Sequence, residues 1–499
     1  MLRGLHKFEK WPAVLAVFAL LGSACDANTT SGGNGGTGGA SGGPNAAGGM
    51  TATDAPWWTL PSRSHYFERG GRRAPLFLRN ATAGSAADFA PLLSAAHEAG
   101  ADAIRIQLTQ GFGYNTLGID SQGNVLSAWA AEWDRVLDQA AAQGLSVIPV
   151  FAIWGDWNDG TPAAGWIHFD ANPLNSKNGG PASSPAELFD DTATQRAWLG
   201  WLGTLIDRWQ SRPNIIAWEV FSELDLATGA NETNATAFAE RASDLIRAHD
   251  PSNRPILAST SDLPLLNEAP WTKLWASRAN DVVSLHPYDA NLDAALSMRV
   301  AQVRAQTDKP ILIGESGLDA GAPDGTTLTT TASAKLGLGQ AIAAELVSGS
   351  ASARAFYWED GYATYYPQSG PAFVESMGDL EAPAAAWIHD LNFAGLEPAN
   401  ITTTPPIFGA ALASSSEILG FIRASELTAP EWTATPVVNE FVQITLPAGT
   451  RANGNWWVEL QTLDGILVHG LAVTSTGDAL GFGLQHPFTS LVFRARAMP

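Results

Sequence analysis

The stretch Ile215-Ile-Ala-Trp-Glu-Val-Phe-Ser-Glu-Leu-Asp225 decides how the chain is read. An apolar run too short for a helix ends in acidic side chains, the pattern of a strand buried on both faces that delivers a carboxylate at its C-terminal end. Lys309-Pro-Ile-Leu-Ile-Gly-Glu-Ser-Gly317 repeats the design with Glu315. Outward from these two, runs of the same kind occur at Pro75 to Arg79, Ala103 to Leu108, Ser146 to Phe151, Ile256 to Ser259, Val282 to His286 and Ala353 to Trp358. With Ile215 to Phe221 and Ile311 to Gly314 they make eight. Helical periodicity separates them, at Ala86 to Ala99, Trp129 to Gln143, Thr194 to Gln210, Ala237 to Ala248, Asp293 to Gln306 and Ser333 to Val347. Strands alternating with helices predict an α/β fold, a (β/α)8 TIM barrel over residues 55–398. A doubly wound open sheet is the structural rival, but no glycine-rich phosphate loop follows the first run.

In such a barrel, chemistry sits at the C-terminal ends of the strands. Glu223 follows the fourth run and Glu315 closes the seventh, so the two carboxylates face one another across the mouth. One to protonate a leaving oxygen and one to attack the anomeric carbon is what retaining glycoside hydrolysis needs. Arg105, inside an apolar strand, is costly to bury alone and requires Glu315 or Glu219 as partner. Tyr288 is a candidate donor to Glu315 or a residue lining the mouth, and His286 a candidate to orient Glu223 or a satisfied core histidine.

The chain resembles clan A glycoside hydrolases of the family 5 type, the group holding endo-β-mannanases and cellulases. The resemblance rests on Arg212 to Asp225, His286-Pro-Tyr288, Lys309 to Gly317 and Ser348 to Trp358. It implies that Glu223 is the acid/base, Glu315 the nucleophile, Arg105 a support of the nucleophile, His286 and Tyr288 residues around it, and Trp358 the aromatic floor beneath the sugar. One position departs. The family usually carries Asn before the acid/base, where it contacts the sugar 2-hydroxyl, and this chain has Ser222, too short for that contact except through water. The expected activity is that of a retaining endo-β-glycosidase acting on a β-linked polysaccharide, a mannan or glucan. The alternative that Ser222 motivates is a surface glycan-binding protein on a catalytically impaired barrel.

After the third run, Trp154, Trp157 and Trp166 lie in a long loop and are candidate stacking platforms for several sugar units. Asp156, Asn158 and Asp159 have calcium-ligand chemistry without EF-hand spacing. The single cysteine excludes a Cys-cluster metal site and internal disulfides, and neither a metal nor a cofactor is expected. With 49 acidic against 28 basic residues the net charge is −21, which disfavours nucleic acid as a partner. The 19 tryptophans fit either sugar stacking or core packing. A monomer is expected.

From residue 399 to 499 helical periodicity gives way to short β-type runs separated by Gly, Pro and Asn, which predict a small β-sandwich. Trp456 and Trp457 are adjacent there, so one faces in and the other out.

Residues 1–24 carry a basic start, an apolar stretch from Trp11 to Leu21, and the small residues Gly22, Ser23 and Ala24, the pattern of a signal peptide. Cys25 directly after them resembles a lipoprotein lipidation site, with Leu21 four places before it rather than three. Residues 25–54 hold this cysteine and a Gly-rich linker, whose stretch from 27 to about 50 is expected to behave as a flexible coil with a root-mean-square reach of about 25 Å. The expected location is the bacterial cell envelope or surface, with plain secretion as the alternative. Fractionation of cells carrying Cys25→Ser is expected to move the protein from membrane to soluble fractions; wild type recovered from the medium without an acyl group on Cys25 would refute the anchor.

Overall fold

The computed structural model describes residues 57–82, 86–109, 117–159, 168–318, 333–357, 378–404, 407–450 and 453–499. The residues expected from sequence to form a signal segment and tether, with Cys25, lie outside the described residues. No described helix is long and apolar enough to cross a membrane.

The barrel strands are Leu76–Ala81, Ala103–Gln107, Ser146–Val150, Trp218–Glu219, Ile256–Leu257 continued by Thr260–Ser261, Val283–His286, Ile311–Ile313 and Ser352–Ala353. Every pairing between them is parallel, and the eighth strand returns to the first at Ser352↔Leu76. The ladders divide into a six-stranded and a three-stranded sheet because the fifth strand is interrupted at Ala258. There the backbone N–H donates to the Asn280 side chain at 2.6 Å instead of to a neighbouring strand. Asp281 N to Ile256 O on one side, and Ala351 N to Ile311 O on the other, complete the ring.

The fourth strand is less regular than its apolar run suggests. Ile215 bridges Val147 while Glu219 pairs with Val150, so four steps along this strand span three along its neighbour. That is a one-residue bulge, a device that re-aims side chains beside a site. Two helices begin earlier than apolar periodicity predicts, because capping residues precede the first buried position. Asp191 accepts from Thr194 N ahead of helix Thr192–Trp209, and Asn231 with Asn234 forms a reciprocal capping box ahead of Glu232–His249.

Helix Thr192–Trp209 buries Trp198, Trp201, Leu202, Leu205, Ile206 and Trp209 along one stripe. Trp58, Trp133, Trp157, Trp201, Trp209, Trp218, Trp275 and Trp456 are all fully buried, so packing accounts for much of the tryptophan excess. An N-terminal hairpin, Phe67–Arg69 with Arg72–Ala74, lies beside Trp58. Trp58 Nε1 and Phe77 N both donate to buried Asp102, and Arg69 pairs with the same carboxylate.

The C-terminal strands form two antiparallel sheets. One has the order Glu397–Ala399, Ile407–Ala413, Glu417–Ala424, Ser490–Ala497, Asn455–Gln461, Leu467–Thr474; the other has Ile401–Thr403, Glu440–Thr445, Ala479–Leu484. Ile418, Ile422, Val442, Ile444, Trp456, Val458, Phe482 and Phe493 fill the space between them. On the opposite face of the larger sheet, Leu412, Leu419, Phe421 and Val492 join the core of the barrel. The strand Ala479–Leu484 is absent from the sequence reading because Gly481 and Gly483 resemble a turn. Gly481 is needed where it stands, since a Cβ there would lie 2.5 Å from the Phe441 ring.

Gly420 is similarly covered, a Cβ falling 2.0 Å from Phe493 Cζ. Gly420→Ala is therefore expected to destabilise the sandwich by about 1–3 kcal/mol, the range for overpacking, read as a lower urea midpoint with an unchanged slope.

Candidate active site

Glu223 occupies the turn that ends the bulged fourth strand, in the left-handed region at φ 57. For a non-glycine residue this conformation costs of order 1–2 kcal/mol and is retained only where surroundings impose it. Here the Glu223 N–H donates to Ser259 Oγ at 3.1 Å, and Ser259 Oγ in turn donates to Glu219 Oε1 at 2.8 Å. The turn is thus pinned to a carboxylate buried in the barrel.

Arg105 lies on the second strand with its side chain wholly buried. Nε and Nη2 grip Glu219 at 2.6 and 2.7 Å, while Nη1 reaches Glu315 Oε1 at 2.6 Å and Asn80 Oδ1 at 3.1 Å. The two partners weighed from sequence, Glu219 and Glu315, are both engaged. Burial works against the guanidinium charge, but the two carboxylates outweigh it and hold its pKa above the ordinary value.

Glu315 Oε1 also accepts from Gln107 Nε2 at 2.8 Å and Ser222 Oγ at 3.3 Å, whereas among the described residues Oε2 receives only Tyr288 OH, at 2.9 Å. Burial pushes this carboxyl upward, but the charges of His286 and Arg105 and the bonds from Arg105 and Tyr288 bring it below the usual carboxylate range. Glu223 moves the other way. Burial raises its pKa, the hydrogen bond with His286 opposes this, and the Glu315 charge adds to the rise.

His286 stands between the two acids, with Nδ1 3.2 Å from Glu223 Oε1 and 3.6 Å from Glu315 Oε1. Burial lowers the imidazole pKa, but Glu315 and the bond to Glu223 raise it above its ordinary value. Gly314 makes room for the ring, since a Cβ there would lie 2.8 Å from Nε2. Ligand atoms of Glu223, His286 and Glu315 fall within 4.8 Å of one another, a spacing that also suits a metal ion. Arg105 supplies positive charge to Glu315 at 2.6 Å.

Arg105, Ser222, Glu223, His286, Tyr288 and Glu315 therefore converge, as the strand assignment predicted. Ser222 has a definite task, because its hydroxyl accepts from Arg105 Nη2 at 3.0 Å and donates to Glu315. Trp157 is a correction: at 1% exposure, with its ring 5.8 Å from that of Phe169, it is a core residue and offers no face to a sugar. Trp154 is half-buried at the end of the third strand, its N–H donating to Ser222 O. Trp358 and Trp166 lie outside the described residues. Asp156 is turned inward, accepting from Ile153 N, and burial pushes its carboxyl up to about 7; Asp159 instead accepts from Thr228. Calcium-type oxygens are therefore not gathered in this loop by these two.

Three participants escaped the sequence reading. Asn80 donates to Gly314 O and Phe356 O while receiving Arg105, and so ties the first strand to the seventh and to the segment after the eighth. Gln107 joins Glu315 to Tyr357, whose OH donates to Gln107 Oε1 at 2.7 Å. Gln107 was signalled by its place two residues beyond Arg105, on the same face of the strand. Asn80 and Tyr357 carried no local mark.

A parallel eight-stranded barrel with paired carboxylates at the C-terminal ends of the fourth and seventh strands defines the class of barrel glycoside hydrolases. The family described as Cellulase (glycosyl hydrolase family 5) matches residues 83–348, and the chain belongs to that family. Its substrate is accordingly a glycan. No curated protein matches the chain. Among solved structures, a glycoside hydrolase family 5 protein from Bacteroides vulgatus ATCC 8482 superposes with a TM-score of 0.55 at 11% identity, over 89% of this chain and 95% of that one. A family 5 mannosidase from Rhizomucor miehei gives a TM-score of 0.49 at 14% identity, over 67% and 99%.

Arg105→Met leaves two buried carboxylates without their cation. A loss of about 3–5 kcal/mol is expected, measured as a lowered denaturant midpoint at neutral pH.

Proposed function

We propose that this family 5 glycosidase cleaves a β-linked polysaccharide, a mannan or glucan, internally and with retention of configuration, Glu223 acting as acid/base and Glu315 as nucleophile. The observation that carries the reading is the opposed state of two carboxylates whose oxygens approach within 4.8 Å. Retaining enzymes hold the pair about 5–5.5 Å apart, whereas inverting ones leave about 6.5–9.5 Å for a water.

In the first step Glu223 gives its proton to the glycosidic oxygen as Glu315 attacks the anomeric carbon. Oε1 of Glu315 is engaged by Arg105 and Gln107, so Oε2, holding only the Tyr288 bond described above, is the oxygen with a lone pair for the sugar. As the glycosyl ester forms, the Glu315 charge is lost and the rise it imposes on Glu223 disappears, so Glu223, having given its proton to the leaving group, stays ionised and is available to accept a proton from water in the second step. His286 holds Glu223 in place through both steps. Ser222 favours the enzymatic reading over a merely glycan-binding barrel, because its hydroxyl steadies the nucleophile.

Glu315→Gln is expected to abolish turnover of β-glycans. Glu223→Ala should lose about 10²–10⁴ in rate on polysaccharide and recover with azide and an aryl glycoside whose leaving group needs no proton. Activity requires Glu315 ionised and Glu223 protonated, so the rate falls as pH drops through the depressed Glu315 value and again as pH rises through the elevated Glu223 value. Tyr288→Phe removes a donor to the Glu315 charge and should move the acid limb of the kcat/KM profile toward neutral pH. An unmoved acid limb, or unchanged hydrolysis by either glutamate variant, counts against these roles.

A further inference from the structure

Trp457 projects from the strand Asn455–Gln461 on the face opposite the buried Trp456 and is 38% exposed. Its indole lies across the sheet on Gly470, where a Cβ would come within 2.6 Å of Cζ2. Nε1 donates to Glu459 Oε1 at 3.1 Å, and Arg496 Nη2 holds the same carboxylate oxygen at 2.9 Å. The ring is therefore seated on a residue without a side chain, locked at its polar edge, and open on its outer face.

The surroundings indicate what fits that face. Glu459 pairs with Arg496, and Glu417 with Arg494, so the charges beside the indole cancel in a chain whose net charge is −21. Asn455 and Thr474, bonded to each other at 3.0 Å, add neutral polar groups at the same end of the strand pair. The face also continues an existing interface. Across the sheet, Gly470 is opposite Glu459, Glu459 opposite Arg494, and Arg494 opposite Leu419, which is buried against the barrel.

We infer that Trp457, with Glu459 and Arg496, is a second glycan-binding site, in which the indole stacks on the apolar face of a pyranose of an uncharged β-linked polysaccharide and the paired charges and Asn455 meet its equatorial hydroxyls. A flat aromatic face with a polar rim suits a sugar ring, apolar on its faces and polar at its edge. A neutral patch on a strongly acidic chain suits an uncharged polymer rather than a polyanion. The site shares the sheet face that packs on the barrel, so it holds polymer beside the catalytic domain and raises the local concentration of chain without touching the reacting bond. The inference rests on the reading of the barrel as a β-glycosidase.

The competing role for the same geometry is purely structural, an aromatic ring shielding a strand glycine. Two variants separate them. Trp457→Leu keeps an apolar cover over Gly470 but has no flat face, whereas Trp457→Phe keeps both. The full chain is run in native gels containing β-1,4-mannan, mixed-linkage β-glucan or β-1,4-xylan, with hydrolysis of an aryl β-glycoside and the thermal midpoint measured in parallel. Wild type and Trp457→Phe should be retarded by at least one polymer, and Trp457→Leu should bind that polymer about three- to tenfold more weakly at equal aryl-glycoside rate and thermal midpoint. Equal retardation of wild type and Trp457→Leu, retardation of none of the three proteins, or a fall in binding that appears only with a fall in thermal midpoint overturns the site. Failure of all forms to cleave the aryl glycoside, with retardation still dependent on Trp457, would instead strike the glycosidase reading.

Discussion

A guanidinium sealed inside a barrel is tolerable only when its charge is answered, and Arg105 is answered twice. It holds Glu219 through two bonds and Glu315 through a third, and Asn80 and Ser222 accept from its remaining hydrogens. Three carboxylates, Glu219, Glu223 and Glu315, share this interior with the bases Arg105 and His286, and burial makes an uncompensated charge expensive. Of the three, Glu223 is the most exposed, and burial together with the Glu315 charge raises its pKa. The opposed pKa directions of Glu223 and Glu315 thus follow from burial and the charges gathered around them rather than from either glutamate alone.

The backbone serves the same end. A one-residue bulge precedes Glu219 in the fourth strand, and the left-handed backbone at Glu223 breaks the strand's alternation four residues later, while Glu219 bonds Arg105 in the interior. A regular strand would send residues 219, 221 and 223 to one face. The turn instead anchors Glu223 N to Ser259, which is itself bonded to Glu219, so the strain is held by a hydrogen bond that originates in the arginine cluster. Gly314 contributes space for His286, and Asn80 draws the first strand against the segments carrying Glu315 and Phe356.

Ser222 shows how a residue type acquires meaning only with its partners. Judged against the family pattern, a serine before the acid/base looks like a lost sugar contact. Its hydroxyl is in fact committed to Arg105 and Glu315, both buried, which makes it part of the hydrogen-bond network around the Glu315 carboxylate. The tryptophans teach the same point. Trp154 and Trp157 are three residues apart in one loop, yet Trp157 is enclosed with Phe169 and Trp154 is only half-buried. Loop aromatic content says how much ring surface is available, and only packing decides which rings meet solvent.

What the sequence determined by itself is what depends on near neighbours: the alternation of apolar strands with amphipathic helices, the placement of Glu223 and Glu315 at strand ends, and the opposite facing of Trp456 and Trp457. These follow from periods of two and 3.6 residues and need no knowledge of the rest of the chain. The tertiary structure decided the pairings across long separations: Gln107 with Glu315 and Tyr357, Asn80 with Gly314, Ser222 with Arg105, and the strand Ala479–Leu484 whose glycines lie beneath or beside a distant phenylalanine. A hydrogen bond between residues more than a hundred positions apart leaves no periodic trace, because its geometry exists only once the barrel has closed and its burial has made the bond obligatory.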